Sequence, residues 1–190
     1  MSIENEFKTV DIIVNSNAPT KAVDAFSLSL IKVERQVRKL FTYIVFQYPC
    51  FSYADTKSLK EILADNRRVY FDGFIRGIDA LSKVSVKELV GGDYENLLSR
   101  IEEAISYRNK IFHGQLTGDS LDRDTLLLYA ESMKRWCQLL SEATEEEMGY
   151  DGFARNSFRK TNTKDFSNKL QIQINSIADY KDFVRNKMQR

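Results

Sequence analysis

Proline is almost missing from this chain: there are two in 190 residues, alongside eight glycines. Long helices therefore meet few interruptions. Cysteine is equally scarce. Cys50 and Cys137 lie far apart with no C-x-x-C spacing, and the chain has one histidine. That spacing suggests neither a disulfide framework nor a zinc site, and no metal or other cofactor is expected. The two thiols read as small buried hydrophobes in a reducing cytoplasm. An excess of one charge is also lacking, since 28 basic and 27 acidic residues leave a net charge of +1. This excludes a nucleic-acid binder that works by bulk charge, so any such binding must use a local patch. No apolar run approaches the ~18 residues that a membrane span needs. The opening "MSIENEFKTV" is acidic and polar, unlike a secretory signal. The expectation is a soluble, cytoplasmic protein with no membrane partner.

What is present is ordinary globular composition, 43% hydrophobic and 29% charged. A chain of this length forms one domain with a terminal extension, and buries about two-thirds of the surface its unfolded form exposes. Three segments stand out: an N-terminal arm over 1–17, a helical domain over 18–148 and a C-terminal extension over 149–190. In the arm, "FKTVDIIV" (7–14) reads as a short strand or an ordered arm. From Lys21 to about Tyr48, Val23, Phe26, Leu30, Val33, Val37, Leu40, Phe41 and Ile44 recur at helical spacing. Asp55 can cap a short helix over "TKSLKEILADNRR", and another helix spans "VYFDGFIRGIDALS". "KVSVKELVGGDY" is a connection with a helical turn, residues 93–113 form a strong helix, and 122–147 form another. In the last part, "KLQIQI" alternates, with Leu170, Ile172 and Ile174 on one side as in a short strand, and Ser176 caps a final helix. The fold expected is all-α: a bundle of long antiparallel helices, with room for a short strand pair between the two termini.

The helix over 93–113 ends in "YRNKIFHGQ" (107–115), which holds the single histidine, His113. On a wheel of about 100° per residue, Leu97, Ile101, Ala104, Ile105, Ile111 and Phe112 form one apolar stripe. Arg108 falls within about 20° of its centre. Glu102, Ser106, Asn109 and His113 form a separate polar strip. An arginine on an apolar stripe is unfavourable unless it is paired or opens into a polar cleft. It can snorkel past the helix end, or bond a carbonyl or carboxylate on a neighbouring helix. A histidine in a last helical turn interacts favourably with the helix dipole and the last carbonyls. Asn109, four residues before His113, can hydrogen-bond it. Arg108 and His113 are about 140° apart on the wheel, so they converge on one ligand only if a second helix or a second subunit walls the cleft.

The chemistry of the set suits a phosphodiester. Arginine clamps a phosphate and stabilises charge developing there. Histidine moves protons near neutrality. RNA supplies its own 2′-hydroxyl nucleophile, so a metal-free reaction is feasible on RNA. One histidine cannot be acid and base at the same moment, and a symmetric dimer would supply two.

"RNKIFHG", with Arg108, Asn109 after it, four residues before His113 and a helix that ends there, resembles the R-x(4-6)-H motif of the HEPN superfamily. The match covers residues 100–115 closely and the helical architecture over about 20–148 in outline. The resemblance implies a dimerising helical bundle and a metal-independent endoribonuclease, of the kind found among toxins and antiviral defence effectors. It implies that Arg108 binds the scissile phosphate, that His113 is general acid or base, that Asn109 positions His113 or bonds the phosphate, and that a 2′,3′-cyclic phosphate is left. An antitoxin or regulatory protein is an implied partner. Toxins of this superfamily that are silenced by nucleotidylation carry a tyrosine two residues after the histidine. Gln115 stands there, so that control is not expected.

Beyond the motif, Lys110 and the stretch "FARNSFRKTNTK", with Arg155, Arg159 and Lys160 beside Phe153 and Phe158, could follow an RNA backbone. The same stretch could dock its phenylalanines on the bundle and leave its charges in water. Lys32, Arg35 and Lys39 share a helix face that could widen an RNA surface or simply face solvent. Trp136 reads as core or dimer interface. Two further functions stay open: a non-catalytic RNA-binding or protein-interaction module, in which Arg108 pairs with a carboxylate of its own subunit, and nucleotide binding without hydrolysis.

Overall fold

The computed structural model describes residues 3–112, 121–153, 156–161 and 166–189, with side chains from 109 to 112 outside the description. The helices are α1 (Ile3–Val14), α2 (Lys21–Phe46), α3 (Thr56–Asp65), α4 (Phe71–Leu81), α5 (Val86–Val90), α6 (Tyr94–Phe112), α7 (Arg123–Met148) and α8 (Ile177–Phe183). The fold is an all-α bundle, and no helix among the described residues is long and apolar enough to cross a membrane.

The two 26-residue helices, α2 and α7, form the central pair. Phe26 meets Tyr129, Gln36 bonds the Cys137 carbonyl and Tyr43 bonds the Met148 carbonyl, so the two helices run parallel. α6 and α7 run antiparallel: Arg100 meets Ser132 and Glu103 meets Tyr129. Of the α6 stripe expected from the wheel, Leu97, Ile101 and Ala104 are buried in the core.

Local chemistry explains the helix starts. Ser85 and Glu88 form a capping box on α5, and the Asp122 carboxylate accepts from the Thr125 N–H at the start of α7. Ser176 caps α8 by accepting from the Asp179 N–H, as the sequence indicates. Asp55 sits at the cap position of α3, but its carboxylate accepts from the Ser52 N–H and hydroxyl instead.

Both strand expectations are overturned. Residues 7–14 lie in α1: Phe7 and Val10 are buried at a spacing of three, and Glu6 is held by Lys32 at 3.0 Å and Arg35 at 3.2 Å. The β-branched run at 10–14 favours a strand locally, but burial against α2 decides otherwise. Residues 169–174 make one isolated bridge, Ser82 to Leu170. Their neighbour is the end of α4, where Leu81 accepts from the Gln171 N–H, and a helix end cannot continue a ladder. Tyr48 and Cys50 donate to the Ile172 and Ile174 carbonyls. Ile174 is buried while Ile172 is 38% exposed, so the two do not share a face.

The described residues after 149 pack on the same core. Tyr150 stacks on Tyr43 at 4.5 Å, Phe158 meets Phe46 edge-on, and Tyr180 and Phe183 stack on Phe41. A π turn, Val184–Met188, closes against α4, where Gly73 and Gly77 allow close approach: a Cβ at Gly73 would overlap the Met188 carbonyl. Trp136 is fully buried. Cys137 is buried as expected, whereas Cys50 is exposed because it follows Pro49 in the turn leaving α2.

Candidate functional site

Arg108 follows Leu97, Ile101, Ala104 and Ile105 along the α6 stripe. Leu97, Ile101 and Ala104 are buried, and Ile105 and Arg108 are half-buried. The Arg108 Nη1 donates to Glu34 Oε1 on α2 at 2.7 Å, with the two side chains 28% and 32% exposed. The pair answers the cost of an arginine on an apolar stripe: the guanidinium is neither solvated freely nor buried alone. Glu34 follows Val33 on α2, at the border of that helix's buried face, so both partners sit where core gives way to solvent.

Polar contacts fix this end of α6 to α7. The Tyr129 hydroxyl donates to Glu103 Oε2 at 2.6 Å, and the Tyr107 and Tyr129 rings lie 5.7 Å apart. Burial, and the Glu103 carboxylate after it, push the Tyr129 phenol far above its usual range, so it remains a donor. Further along, Arg100 donates to the Ser132 hydroxyl at 2.9 Å.

Beside the pair is a cleft of ≈ 670 Å³ lined by Glu34, Tyr70, Phe71, Asp72, Glu102, Ile105, Ser106 and Arg108. It brings together the start of α4, the middle of α2 and one face of α6. Arg76, one turn along α4, holds Asp72 at 2.6 Å.

Of the residues expected from the sequence, Arg108 is at this cleft. Asn109 and Lys110 lie in the last turn of the α6 backbone, and His113 and Arg155 lie outside the described residues. The structure does not gather Arg159 and Lys160 at the cleft. Both are half-buried in the C-terminal segment. Lys160 donates to the Tyr48 carbonyl at 2.6 Å and lies 5.0 Å from the centre of the Phe46 ring, while the Arg159 carbonyl accepts from Gln47. Burial lowers the Lys160 pKa from its ordinary value. Phe153 and Phe158 are docked in the core. The basic face of α2 is a set of ties: Lys32 and Arg35 hold Glu6 of α1, and Lys39 donates to the Phe153 carbonyl at 2.8 Å.

Sequence reasoning missed Glu34 and Tyr70. Glu34 lies 74 residues from Arg108, so no local spacing could signal the pair. Tyr70 had a usable signal, an aromatic just before the start of α4 that the structure leaves 54% exposed. Among the described residues no group of three His, Cys, Asp or Glu side chains is arranged to hold a metal ion. Comparison with protein-family models, curated proteins and solved structures found no match.

Proposed function

We propose that this protein is a metal-independent endoribonuclease of the HEPN type, acting as a toxin or antiviral defence effector. The observation that carries the reading is Arg108, an arginine on an apolar helix stripe, held at 2.7 Å by Glu34 on the rim of a cleft and still 28% exposed. A guanidinium oriented by a carboxylate on the rim of a cleft, and still part-exposed, is placed to meet an anion.

In this reading Arg108 binds the scissile phosphate and stabilises its developing charge. A histidine base takes the proton of the ribose 2′-hydroxyl. The 2′-oxygen attacks phosphorus, and the bond to the 5′-oxygen breaks as a histidine acid protonates it. The products are a 2′,3′-cyclic phosphate and a 5′-hydroxyl. His113 fills one of these roles, and a second copy of the chain supplies the other in a homodimer. Asn109 orients His113 or bonds the phosphate. An antitoxin or regulatory protein would control such an activity.

The Arg108–Glu34 pair also favours a second reading. A pair inside one subunit is what a non-catalytic RNA-binding or protein-interaction module would use to stabilise the end of α6.

Incubation of RNA with the purified full chain in excess chelator separates the two. The nuclease reading expects cleavage to cyclic-phosphate ends that is lost in Arg108→Ala and in His113→Ala, with both variants folded by circular dichroism. Cleavage that survives in His113→Ala would remove the catalytic assignment, and no cleavage by the wild type leaves the binding-module reading.

A further inference from the structure

The cleft beside Arg108 carries groups that phosphodiester chemistry does not use. Tyr70 lies in its wall with 54% of its surface exposed. An exposed tyrosine beside a phosphate-binding arginine offers a face on which an unstacked base can lie. Among the described residues the rest of the lining is acidic, with Glu34, Asp72 and Glu102 beside Arg108. Glu34 holds Arg108 and Asp72 holds Arg76, whereas Glu102 stands exposed on α6.

Ionised carboxylates are acceptors only. Such a wall repels a phosphate and attracts N–H donors, so a bound nucleotide is oriented with its phosphate at Arg108 and its base inside. Among the RNA bases, guanine alone presents two adjacent N–H donors, at N1 and the 2-amino group, on the Watson–Crick edge that proteins read in single strands. Their spacing matches the two oxygens of one carboxylate. The volume of ≈ 670 Å³ lies in the range of small-ligand pockets and accommodates one nucleotide.

We propose that this cleft is a guanosine subsite: Tyr70 stacks on the base, Glu102 accepts from N1–H and the 2-amino group, and Arg108 holds the attached phosphate. As a substrate preference this rests on the ribonuclease reading; as a binding site it stands without it.

The test is calorimetric titration of the full chain with guanosine, adenosine, cytidine and uridine 3′-monophosphates. Guanosine 3′-monophosphate is expected to bind at least about tenfold more tightly than the others, as two hydrogen bonds to a charged group allow. Tyr70→Ala is expected to weaken it about tenfold, the usual loss of one stacking face, and Tyr70→Phe to retain it. Glu102→Gln, an exposed helix substitution compatible with folding, is expected to erase the preference for guanosine. Equal binding of the four nucleotides, or an unchanged preference in Glu102→Gln, overturns the proposal. The nuclease reading fails separately: guanosine-selective binding without RNA cleavage removes the nuclease and keeps the subsite, while cleavage indifferent to base removes the subsite and keeps the nuclease.

Discussion

Arg108 and Glu34, 74 residues apart in the chain, meet at 2.7 Å between α6 and α2, each side chain about two-thirds buried. The carboxylate relieves the cost of the misplaced cation and fixes one edge of its guanidinium. If Glu34 positions Arg108 for a phosphate, Glu34→Gln lowers RNA cleavage on the order of 10–100-fold, the usual effect of a slightly misplaced catalytic group. The pair is one-third exposed, so its removal costs on the order of 1 kcal/mol of stability, measured by a urea double-mutant cycle with Arg108→Ala. A cleavage rate unchanged by Glu34→Gln would show that the pair only holds the helix.

The approach of the C-terminal π turn to α4 depends on glycine. A Cβ at Gly73 meets the Met188 carbonyl, a backbone atom that cannot swing aside. Gly73→Ala is therefore expected to destabilise the fold by about 2 kcal/mol or more, as overpacking does, even though alanine favours a helix. Gly152 is constrained twice, by φ +82° and by a Cβ position 2.7 Å from Gln36 Cγ. Gly152→Ala is expected to cost a similar ~2 kcal/mol by strain and overlap, read from denaturant midpoints. A midpoint unchanged in either variant would contradict the packing described.

The two thiols should report different events. Burial raises the pKa of both, Cys137 far more strongly because it is enclosed in the core. Alkylation of native protein near neutral pH is expected to modify exposed Cys50 slowly, since its thiol donates to the Ile174 carbonyl at 3.2 Å. Cys137 is expected to react only on unfolding. Mass spectrometry of the labelled peptides checks this, and rapid native labelling of Cys137 would refute the enclosed core around α7.

Acid should loosen the helix starts. Hydrogen bonds from the Ser52 and Ser85 backbone and side chains, and from the Thr125 N–H, lower the pKa of Asp55, Glu88 and Asp122. A carboxyl group whose folded-state pKa is depressed contributes stability above its unfolded value, and that contribution disappears as pH falls through the folded value. Glu88→Gln is therefore expected to be less stable than wild type at neutral pH, with the difference vanishing once pH drops below the ordinary carboxylate range. Paired denaturation curves across pH test this, and a difference that persists in acid would assign the effect to something other than the charge.

The sequence alone determined the helices after α1, their main boundaries and the cap at Ser176, because these depend on spacing and on side chains within a few residues. It also determined that Arg108 is anomalous, since a wheel needs no neighbours. The same local reasoning failed over 7–14 and 169–174, where β-branched and alternating patterns are equally compatible with what the surroundings impose. Burial of Phe7 and Val10 made the first a helix, and the end of α4 made the second a single bridge. Only the tertiary structure decided that Lys32, Arg35, Lys39 and Lys160 tie segments together, because their partners lie 26–114 residues away. It also supplied Glu34 to Arg108 and placed Tyr70 beside them. A sequence pattern records which face of a helix is apolar, but which carboxylate or aromatic comes to meet that face is settled by packing between distant segments.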